Sequence, residues 1–349
     1  MRVLLTGGAG YIGSHTAVVL AERGHEVVIV DDYSNAHPEA VRRVAEIVGK
    51  AVPMVEADLA NQKAAAQAFT DAAAALGGEL DAVIHFAGLK AVGESVAQPT
   101  RYYRTNINST LNVLDQMRAH SINRLVFSSS ATVYGDPETN PIAETQQVGV
   151  GLTNPYGWSK AMNEQIIRDA AVVQKGFRAV LLRYFNPVGA HESGRIGEDP
   201  SGIPNNLMPF VAQVAVGKRE QLSVFGSSYP TPDGTGVRDY IHVMDLAEGH
   251  AAALEAAGEG VAEYNLGSGK GSSVLEVVAA FEQASGRPVP YQIVDARPGD
   301  VAECVADPRK ANSELNWQTT RSLADACADS WRWQSQNPNG YAKDGEVTA

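Results

Sequence analysis

Near its N-terminus the chain reads Arg2-Val-Leu-Leu-Thr-Gly-Gly-Ala-Gly-Tyr-Ile-Gly-Ser14. The apolar start of this stretch predicts a buried strand, and Gly7, Gly10 and Gly13 predict a tight turn into a helix. Glycines allow the backbone of such a turn to approach a pyrophosphate closely, and the first N–H groups of the helix bind the anion. The stretch therefore predicts a dinucleotide-binding fold.

A second apolar strand is predicted at residues 26–30, and it is followed by Asp31 and Asp32. An acidic side chain at this place accepts hydrogen bonds from the ribose hydroxyls of adenosine, and its charge repels a 2′-phosphate. The sequence therefore predicts NAD, rather than NADP, as the cofactor.

Strand-like and helix-like segments alternate as far as about residue 185. This pattern predicts an α/β fold with a Rossmann-like doubly wound parallel sheet over residues 1–185. Residues 186–340 predict a smaller α/β domain, partly intertwined with the first, that binds the substrate at the carboxyl edge of the sheet. A short strand at residues 263–265 is assigned to this second domain, and residues 341–349 predict a disordered tail.

The composition excludes several classes of partner. Forty acidic and 28 basic residues give a formal net charge of −12, which argues against binding to nucleic acid or to an anionic membrane. No secretion signal or membrane span is expected, and the only cysteines, Cys304 and Cys327, suit a reducing cytoplasm. Scattered histidines without ligand spacing predict no metal site.

Three residues form the most specific catalytic pattern. Tyr156 and Lys160 are spaced i, i+4 and so project from one face of a predicted helix, and Ser130 follows a predicted strand. A free tyrosine has a pKa near 10, too high for a base at neutral pH. A lysine ammonium nearby lowers that pKa, and Ser130 can bond the reacting oxygen. By itself the Tyr-x-x-x-Lys spacing also fits a chance surface pair, but the glycine turn and Ser130 favour the catalytic interpretation.

Several longer blocks resemble the UDP-galactose 4-epimerase (UDP-glucose 4-epimerase) family of the extended short-chain dehydrogenase/reductase superfamily. They cover essentially the whole chain, and the clearest are His85-Phe-Ala-Gly-Leu-Lys-Ala-Val-Gly-Glu-Ser95, Ser128-Ser-Ser-Ala-Thr-Val-Tyr-Gly135, Leu182-Arg-Tyr-Phe-Asn-Pro187 and Asp233-Gly-Thr-Gly-Val-Arg238. The family interconverts UDP-galactose and UDP-glucose through a 4-keto intermediate, with tightly bound NAD and a tyrosine base. The resemblance implies that role for Tyr156, with Ser130 and Lys160 as its partners.

The same resemblance implies the binding residues. NAD contacts are expected, besides the glycine turn and Lys160, from Tyr11, Ile12, Asp31, Asp32, Asn35, Asp58, Leu59, Phe86, Ala87, Gly88, Lys90 and Tyr184. UDP-sugar contacts are expected from Ser130, Ala131, Thr132, Tyr156, Phe185, Asn186, Asn205, Asn206, Leu207, Val224, Phe225, Arg238, Arg297, Asp300 and Cys304.

Some of these residues allow a plainer interpretation. Arg238 and Arg297 suit a pyrophosphate, because a guanidinium is always charged, and the less favoured alternative for them is a surface ion pair. Asn205 and Asn206 precede a predicted helix and could be simple N-caps. Trp158 stands where the family usually has a basic residue.

Position 304 bears on the breadth of substrates. In the family that the chain resembles, members restricted to UDP-glucose and UDP-galactose have a tyrosine at this position. Cys304 is much smaller than a tyrosine. The resemblance therefore implies that UDP-N-acetylglucosamine and UDP-N-acetylgalactosamine are also interconverted, unless neighbouring loops fill the space.

Two other functions remain open from the sequence. A nucleotide-sugar 4,6-dehydratase or decarboxylase is the nearest enzyme, but Val133 and Tyr134 stand where a dehydratase commonly has Asp-Glu. A non-catalytic NAD-sensing protein is the other, although such proteins tend to lose the Tyr or the Lys. The family resemblance also implies a homodimer, with the helices predicted at residues 102–118 and 156–174 at its interface.

Overall fold

The computed structural model of the chain describes residues 1–202, 204–297 and 300–341. The strands are β1 Arg2–Thr6, β2 Glu26–Asp31, β3 Met54–Glu56, β4 Ala82–His85, β5 Arg124–Ser130, β6 Arg178–Tyr184, β7 Asn186–Val188, β8 Leu222–Phe225, β9 Val237–His242, β10 Gly260–Leu266, β11 Gly271–Ser273, β12 Tyr291–Val294 and β13 Glu303–Cys304. The helices are α1 Tyr11–Glu22, α2 Pro38–Val48, α3 Gln62–Ala75, α4 Val92–Ala97, α5 Pro99–Ala119, α6 Pro155–Val173, α7 Leu207–Ala215, α8 Val243–Ala256, α9 Val274–Ser285, α10 Arg309–Glu314 and α11 Leu323–Gln336.

The central sheet has seven strands in the order β10-β6-β5-β4-β1-β2-β3, and every neighbouring pair is parallel. The strand order reverses between β1 and β4, which opens a crevice at the carboxyl ends of these strands. The predicted Rossmann-like α/β fold is confirmed. Two smaller sheets, one formed by β11, β9, β13 and β7 and the other by β12 and β8, build the second region.

Helices cover both faces of the central sheet. Because side chains alternate along a strand, Leu4 packs with Phe69 of α3 and Met117 of α5 on one face, whereas Leu5 packs with Val18 of α1 and Leu246 of α8 on the other. These side chains are fully buried. Along the described residues, no helix has the length and apolar character needed to cross a bilayer.

The C-terminal half of the chain completes the central sheet. The strand predicted at residues 263–265 is longer, Gly260–Leu266, and pairs with β6 at the sheet edge, while α8 packs against α1. Of the predicted tail, residues 342–349 lie outside the described residues, and Tyr341 is buried against Trp333. Two segments on opposite sides of residue 185 therefore share one core.

A buried ion pair lies beneath the carboxyl ends of β5 and β6. Arg183 donates to the carboxylate of Glu164 through Nε at 3.0 Å and Nη2 at 2.7 Å, and Ser129 Oγ donates to the same carboxylate at 2.6 Å. Arg183 Nη1 also donates to the Tyr134 hydroxyl at 2.9 Å, which donates in turn to Asn265 on β10. The network joins β5, β6 and β10 to α6.

Candidate active site

Two glycines at the turn between β1 and α1 stand where the structure has no room for a side chain. A Cβ added to Gly7, whose φ is +66°, would lie 2.7 Å from the backbone nitrogen of Ala87, and one added to Gly13 would lie 2.6 Å from the carbonyl oxygen of Gly7. Gly10 occupies the N-cap of α1 without a side-chain capping bond. Unpaired N–H groups at the start of α1 therefore face an open cradle, as a pyrophosphate requires.

Asp31 lies at the end of β2, beside this cradle. Its carboxylate accepts hydrogen bonds from the backbone N–H groups of Ala9 and Tyr33, both at 3.0 Å. Burial raises the pKa of Asp31, and the two backbone bonds oppose that rise. The two bonds go to different carboxylate oxygens, so each oxygen of Asp31 can still accept a hydrogen bond from a ribose hydroxyl. The cradle and this carboxylate together fit the adenosine diphosphate half of NAD.

Tyr156 and Lys160 come together through the start of α6. Asn154 caps this helix by accepting the N–H of Gly157 at 2.8 Å, and Pro155 is its first residue, as the sequence predicts. Lys160 Nζ donates to the carbonyl of Ser128 at 2.6 Å and lies 6.0 Å from the ring centroid of Tyr156. Burial lowers the pKa of Lys160 to about 8, and the charge of Glu164 opposes this shift.

Ser130, the third candidate catalytic residue, lies at the end of β5. Its Oγ accepts from Thr132 twice, from the backbone nitrogen at 3.2 Å and from Oγ1 at 3.0 Å, so its own proton is available to a third group. Burial raises the pKa of the Tyr156 phenol, and a hydrogen bond with Ser130 lowers it. A positive charge must oppose burial before Tyr156 can act as a base near neutral pH.

Asn106 fixes the loop that follows β4. Its side chain accepts the N–H of Leu89 at 2.7 Å and donates to the carbonyl of Leu89 at 3.0 Å, and its Nδ2 also donates to Ser159 Oγ at 2.9 Å. The loop carries Lys90, so Asn106 holds it in register with α6. Because Thr105 stands next to Asn106, the sequence leaves the cofactor contact at this place unassigned, and the bonds of Asn106 connect positions far apart in the chain.

Tyr184 ends β6 and is anchored by His250 of α8. His250 Nδ1 donates to the carbonyl of Leu246 at 2.8 Å, and its Nε2 accepts from the Tyr184 hydroxyl. Burial lowers the pKa of His250 to about 4, so the imidazole is neutral and can accept. His250 also lies against Phe86, with ring centroids 4.9 Å apart. Tyr184 and Phe86, both predicted to contact the cofactor, thus pack against the same buried residue, His250.

Arg238 and Cys304 lie opposite each other on β9 and β13. The carboxylate of Asp239 holds this corner by accepting the backbone N–H groups of Ser268, Gly269 and Ala306 at 2.7 to 3.1 Å. Burial raises the pKa of the Cys304 thiol to about 11, although the charge of Arg238 lowers it. Cys304 is therefore a neutral, small wall residue.

A cavity of about 860 Å³ joins these parts. It is lined by Ser130, Tyr156 and Lys160, by every residue predicted to contact NAD, and by Ala131, Thr132, Phe185, Asn186, Asn205, Asn206, Leu207, Arg238, Asp300 and Cys304. Further lining residues that the sequence analysis does not assign are His37, Thr105, Ser128, Glu198, Asp199, Tyr240 and Tyr341.

Three predicted substrate residues lie outside the lining formed by the described residues. These residues are Val224, Phe225 and Arg297. Val224 is buried in the core of the second region. The guanidinium of Arg297 lies 4.6 Å from the ring centroid of Phe225. Arg297 also pairs with Asp300 at 3.0 Å, and the two residues between them, 298 and 299, lie outside the described part of the chain. The ion pair considered as an alternative for Arg297 is thus present.

His85 and His242 are both buried. Within the described residues, no group of three or more His, Cys, Asp or Glu side chains is placed to hold a metal ion.

Comparison with known proteins gives concordant matches. A UDP-glucose 4-epimerase of Bacillus subtilis is 59% identical over 343 residues, which cover 98% of this chain and 99% of that protein. The human UDP-glucose 4-epimerase is 54% identical over 97% of this chain and 98% of its own length. The crystal structure of UDP-glucose 4-epimerase from Bifidobacterium longum in complex with NAD⁺ and UDP has a TM-score of 0.93 and 52% identity, and covers 97% of this chain and 100% of that one.

The matching family is described as NAD dependent, which agrees with a dinucleotide-binding cradle at the start of α1. The model of that family aligns with residues 3–267, which include the glycine turn, the three catalytic candidates and most of the cavity wall. The chain belongs to the NAD dependent epimerase/dehydratase family.

Proposed function

We propose that the chain catalyses the reversible 4-epimerisation of UDP-galactose and UDP-glucose with tightly bound NAD. The observation that carries this proposal is one cavity that joins the anion cradle of α1 to Tyr156, Lys160 and Ser130. The relatives named above, and the neighbour with NAD⁺ and UDP, support the same reaction.

Each residue of the catalytic group has a separate task. Tyr156, as a phenolate, accepts the proton of the sugar 4-hydroxyl, and the Ser130 hydroxyl keeps its proton and donates a hydrogen bond to the reacting oxygen. Lys160 keeps two N–H groups after bonding Ser128, so it can hold a ribose hydroxyl of the cofactor while its charge lowers the pKa of Tyr156. Bound NAD supplies hydride acceptance and return at C4 of the sugar.

The cavity wall disfavours dehydration. Val133 and Tyr134, at the positions where a dehydratase commonly carries an acid and a base, are 0% and 3% exposed. The Tyr134 hydroxyl is occupied by Arg183 and Asn265. No proton donor is therefore offered from these two positions to a leaving group at C6 of the sugar.

The Tyr156→Phe variant tests the proposal directly. It should lose about 10²–10⁴-fold in the rate of UDP-galactose epimerisation, because only the base is removed, and it should keep its bound NAD. Products from UDP-galactose are separated without added cofactor, and NADH is followed by absorbance. Near-normal turnover in the variant, or release of NADH in proportion to product by the unaltered enzyme, would contradict the proposal.

Replacing Lys160 by Met should change the pH dependence. Loss of the ammonium raises the pKa of Tyr156, so less phenolate is present at neutral pH and the acid limb of kcat/KM moves about 1–3 units to higher pH. Activity should partly recover in alkaline buffer. Arg168→Met, on the partly exposed side of the same helix, is the matched control and should leave the limb in place. An unmoved limb in Lys160→Met would remove the lysine from this role.

The place of Cys304 supports a wider range of substrates. Its side chain lines the cavity and also packs on the cluster of Val133, Ile142 and Phe185. A tyrosine there would have to enter the cavity, because the cluster behind is closely packed. The enzyme therefore interconverts UDP-N-acetylglucosamine and UDP-N-acetylgalactosamine as well.

The Cys304→Tyr variant should lose about 10–200-fold in kcat/KM for UDP-N-acetylglucosamine and keep most of its rate with UDP-galactose. Cys304→Ala is the matched control and should keep both activities. Product analysis by chromatography measures each pair. If the unaltered enzyme converts UDP-galactose but not the acetylated sugar, the assignment of Cys304 fails.

The enzyme is a homodimer formed through the α4–α6 side of the sheet. Val96 of α4, Leu111 of α5 and Met162 of α6 are 60%, 42% and 40% exposed, and the three helices pack side by side. Exposed apolar side chains on three helices that pack together support an interface.

The variant Leu111→Glu with Met162→Glu should sediment as a monomer at micromolar concentration, because two buried charges per subunit would lie in the interface. Ile293→Glu, at an exposed position on β12, is the control and should leave the dimer intact. A monomeric unaltered enzyme in analytical ultracentrifugation would disprove the proposal.

A further inference from the structure

Glu198 connects the two sides of the cavity. One carboxylate oxygen, Oε1, accepts from Lys90 Nζ at 3.2 Å and from Asn206 Nδ2 at 2.9 Å. Lys90 belongs to the loop after β4, and Asn206 lies at the start of α7. The side chain of Glu198 is only 10% exposed, and that of Lys90 is 43% exposed. A single carboxylate thus bridges a predicted cofactor contact and a predicted substrate contact.

The backbone around Glu198 is fixed from behind. Trp333 Nε1 donates to the carbonyl of Glu198 at 3.2 Å, and the Tyr341 backbone nitrogen donates to the Asp199 carboxylate at 2.8 Å. A Cβ added to Gly197 would lie 2.4 Å from the indole of Trp333, so the segment packs closely on that ring. The backbone that carries Glu198 is therefore held in place before any ligand arrives, whereas its carboxylate is held only by Lys90 and Asn206 among the described residues.

Asn206 uses its side chain in an unusual way. It occupies the N-cap of α7 but makes no side-chain capping bond, and its amide donates to Glu198 instead. The second carboxylate oxygen of Glu198, Oε2, is buried and has no hydrogen-bond partner among the described residues. A buried carboxylate oxygen without a partner is costly and needs a reason other than stability.

We propose that Glu198 is a positioning residue that couples retention of NAD to binding of the UDP-sugar. The proposal rests on the assignment of Lys90 to the cofactor and of Asn206 to the nucleotide sugar under the proposed function. A ligand that orders Asn206 also orders Glu198, and Glu198 in turn restrains the exposed Lys90 on the cofactor side. The loss of side-chain freedom is shared by the two ligands, so each strengthens the binding of the other.

The test follows the rate of NAD release from the holoenzyme with and without saturating UDP. In the unaltered enzyme UDP should slow NAD release by about 5–150-fold, the usual range for coupled sites. In Glu198→Gln this ratio should fall to within about twofold of unity, because the Gln side chain cannot form the ion pair with Lys90. Glu192→Gln, an exposed position in the same segment, is the matched control and should keep the full ratio.

Two further variants each remove one partner of Glu198, and they test the coupling even if Glu198→Gln folds poorly. Lys90→Met and Asn206→Ala should each abolish the effect of UDP, and adding Glu198→Gln to either should change the ratio no further. A full ratio in Glu198→Gln, or a ratio of one in the unaltered enzyme, would overturn the coupling.

The same variants separate this inference from the site assignment. If Lys90→Met leaves NAD release unchanged and Asn206→Ala leaves the KM for UDP-galactose unchanged, the assignment of those contacts is wrong. If both change as assigned but Glu198→Gln keeps the effect of UDP, only the coupling fails.

Discussion

Close backbone contact between the turn after β1 and the loop after β4 is the constraint on which the rest of the site depends. Gly7 lies against the backbone of Ala87, and Gly13 lies against the carbonyl of Gly7. A side chain at Gly7 would push the loop after β4 away, and one at Gly13 would push α1 away from the turn. The contact sets the N-terminus of α1, the carboxylate of Asp31 and the loop of Lys90 around one space. The dinucleotide cradle is therefore a result of backbone packing more than of side-chain chemistry.

The positions of the candidate catalytic residues depend on a second constraint, the buried ion pair of Glu164 and Arg183. Glu164 and Lys160 lie one turn apart on α6, so the carboxylate that holds Arg183 also opposes the loss of charge on the buried lysine. A buried ion pair contributes little net stability over an apolar core, but removing one partner leaves a costly buried charge. The pair therefore fixes the relation of α6 to β5 and β6, and with it the relation of Lys160 to Ser130.

Local patterns in the sequence predicted much of this structure. The helices predicted at residues 102–118 and 156–174 are observed as α5 Pro99–Ala119 and α6 Pro155–Val173, because capping and apolar spacing are local signals. The sequence did not indicate α4, which is short, or that β10 joins the central sheet, because strand pairing depends on residues far away. Asn106, Glu198 and His250 were missed for the same reason. Their bonds join segments that only the folded chain brings together, and no spacing rule connects them.

Because of Tyr341, part of the cavity wall can form only after a late segment of the chain has been made. Its hydroxyl accepts the N–H of Gly197 at 3.1 Å, and its backbone donates to Asp199, so it holds the segment that carries Glu198. A ribosome makes the glycine turn first and Tyr341 more than three hundred residues later. While the chain emerges, the cradle and the catalytic helix can form early, but the sheet lacks β10 and the Glu198 segment lacks its support. Completion of the cavity therefore requires Tyr341 and β10, which are made long after the glycine turn.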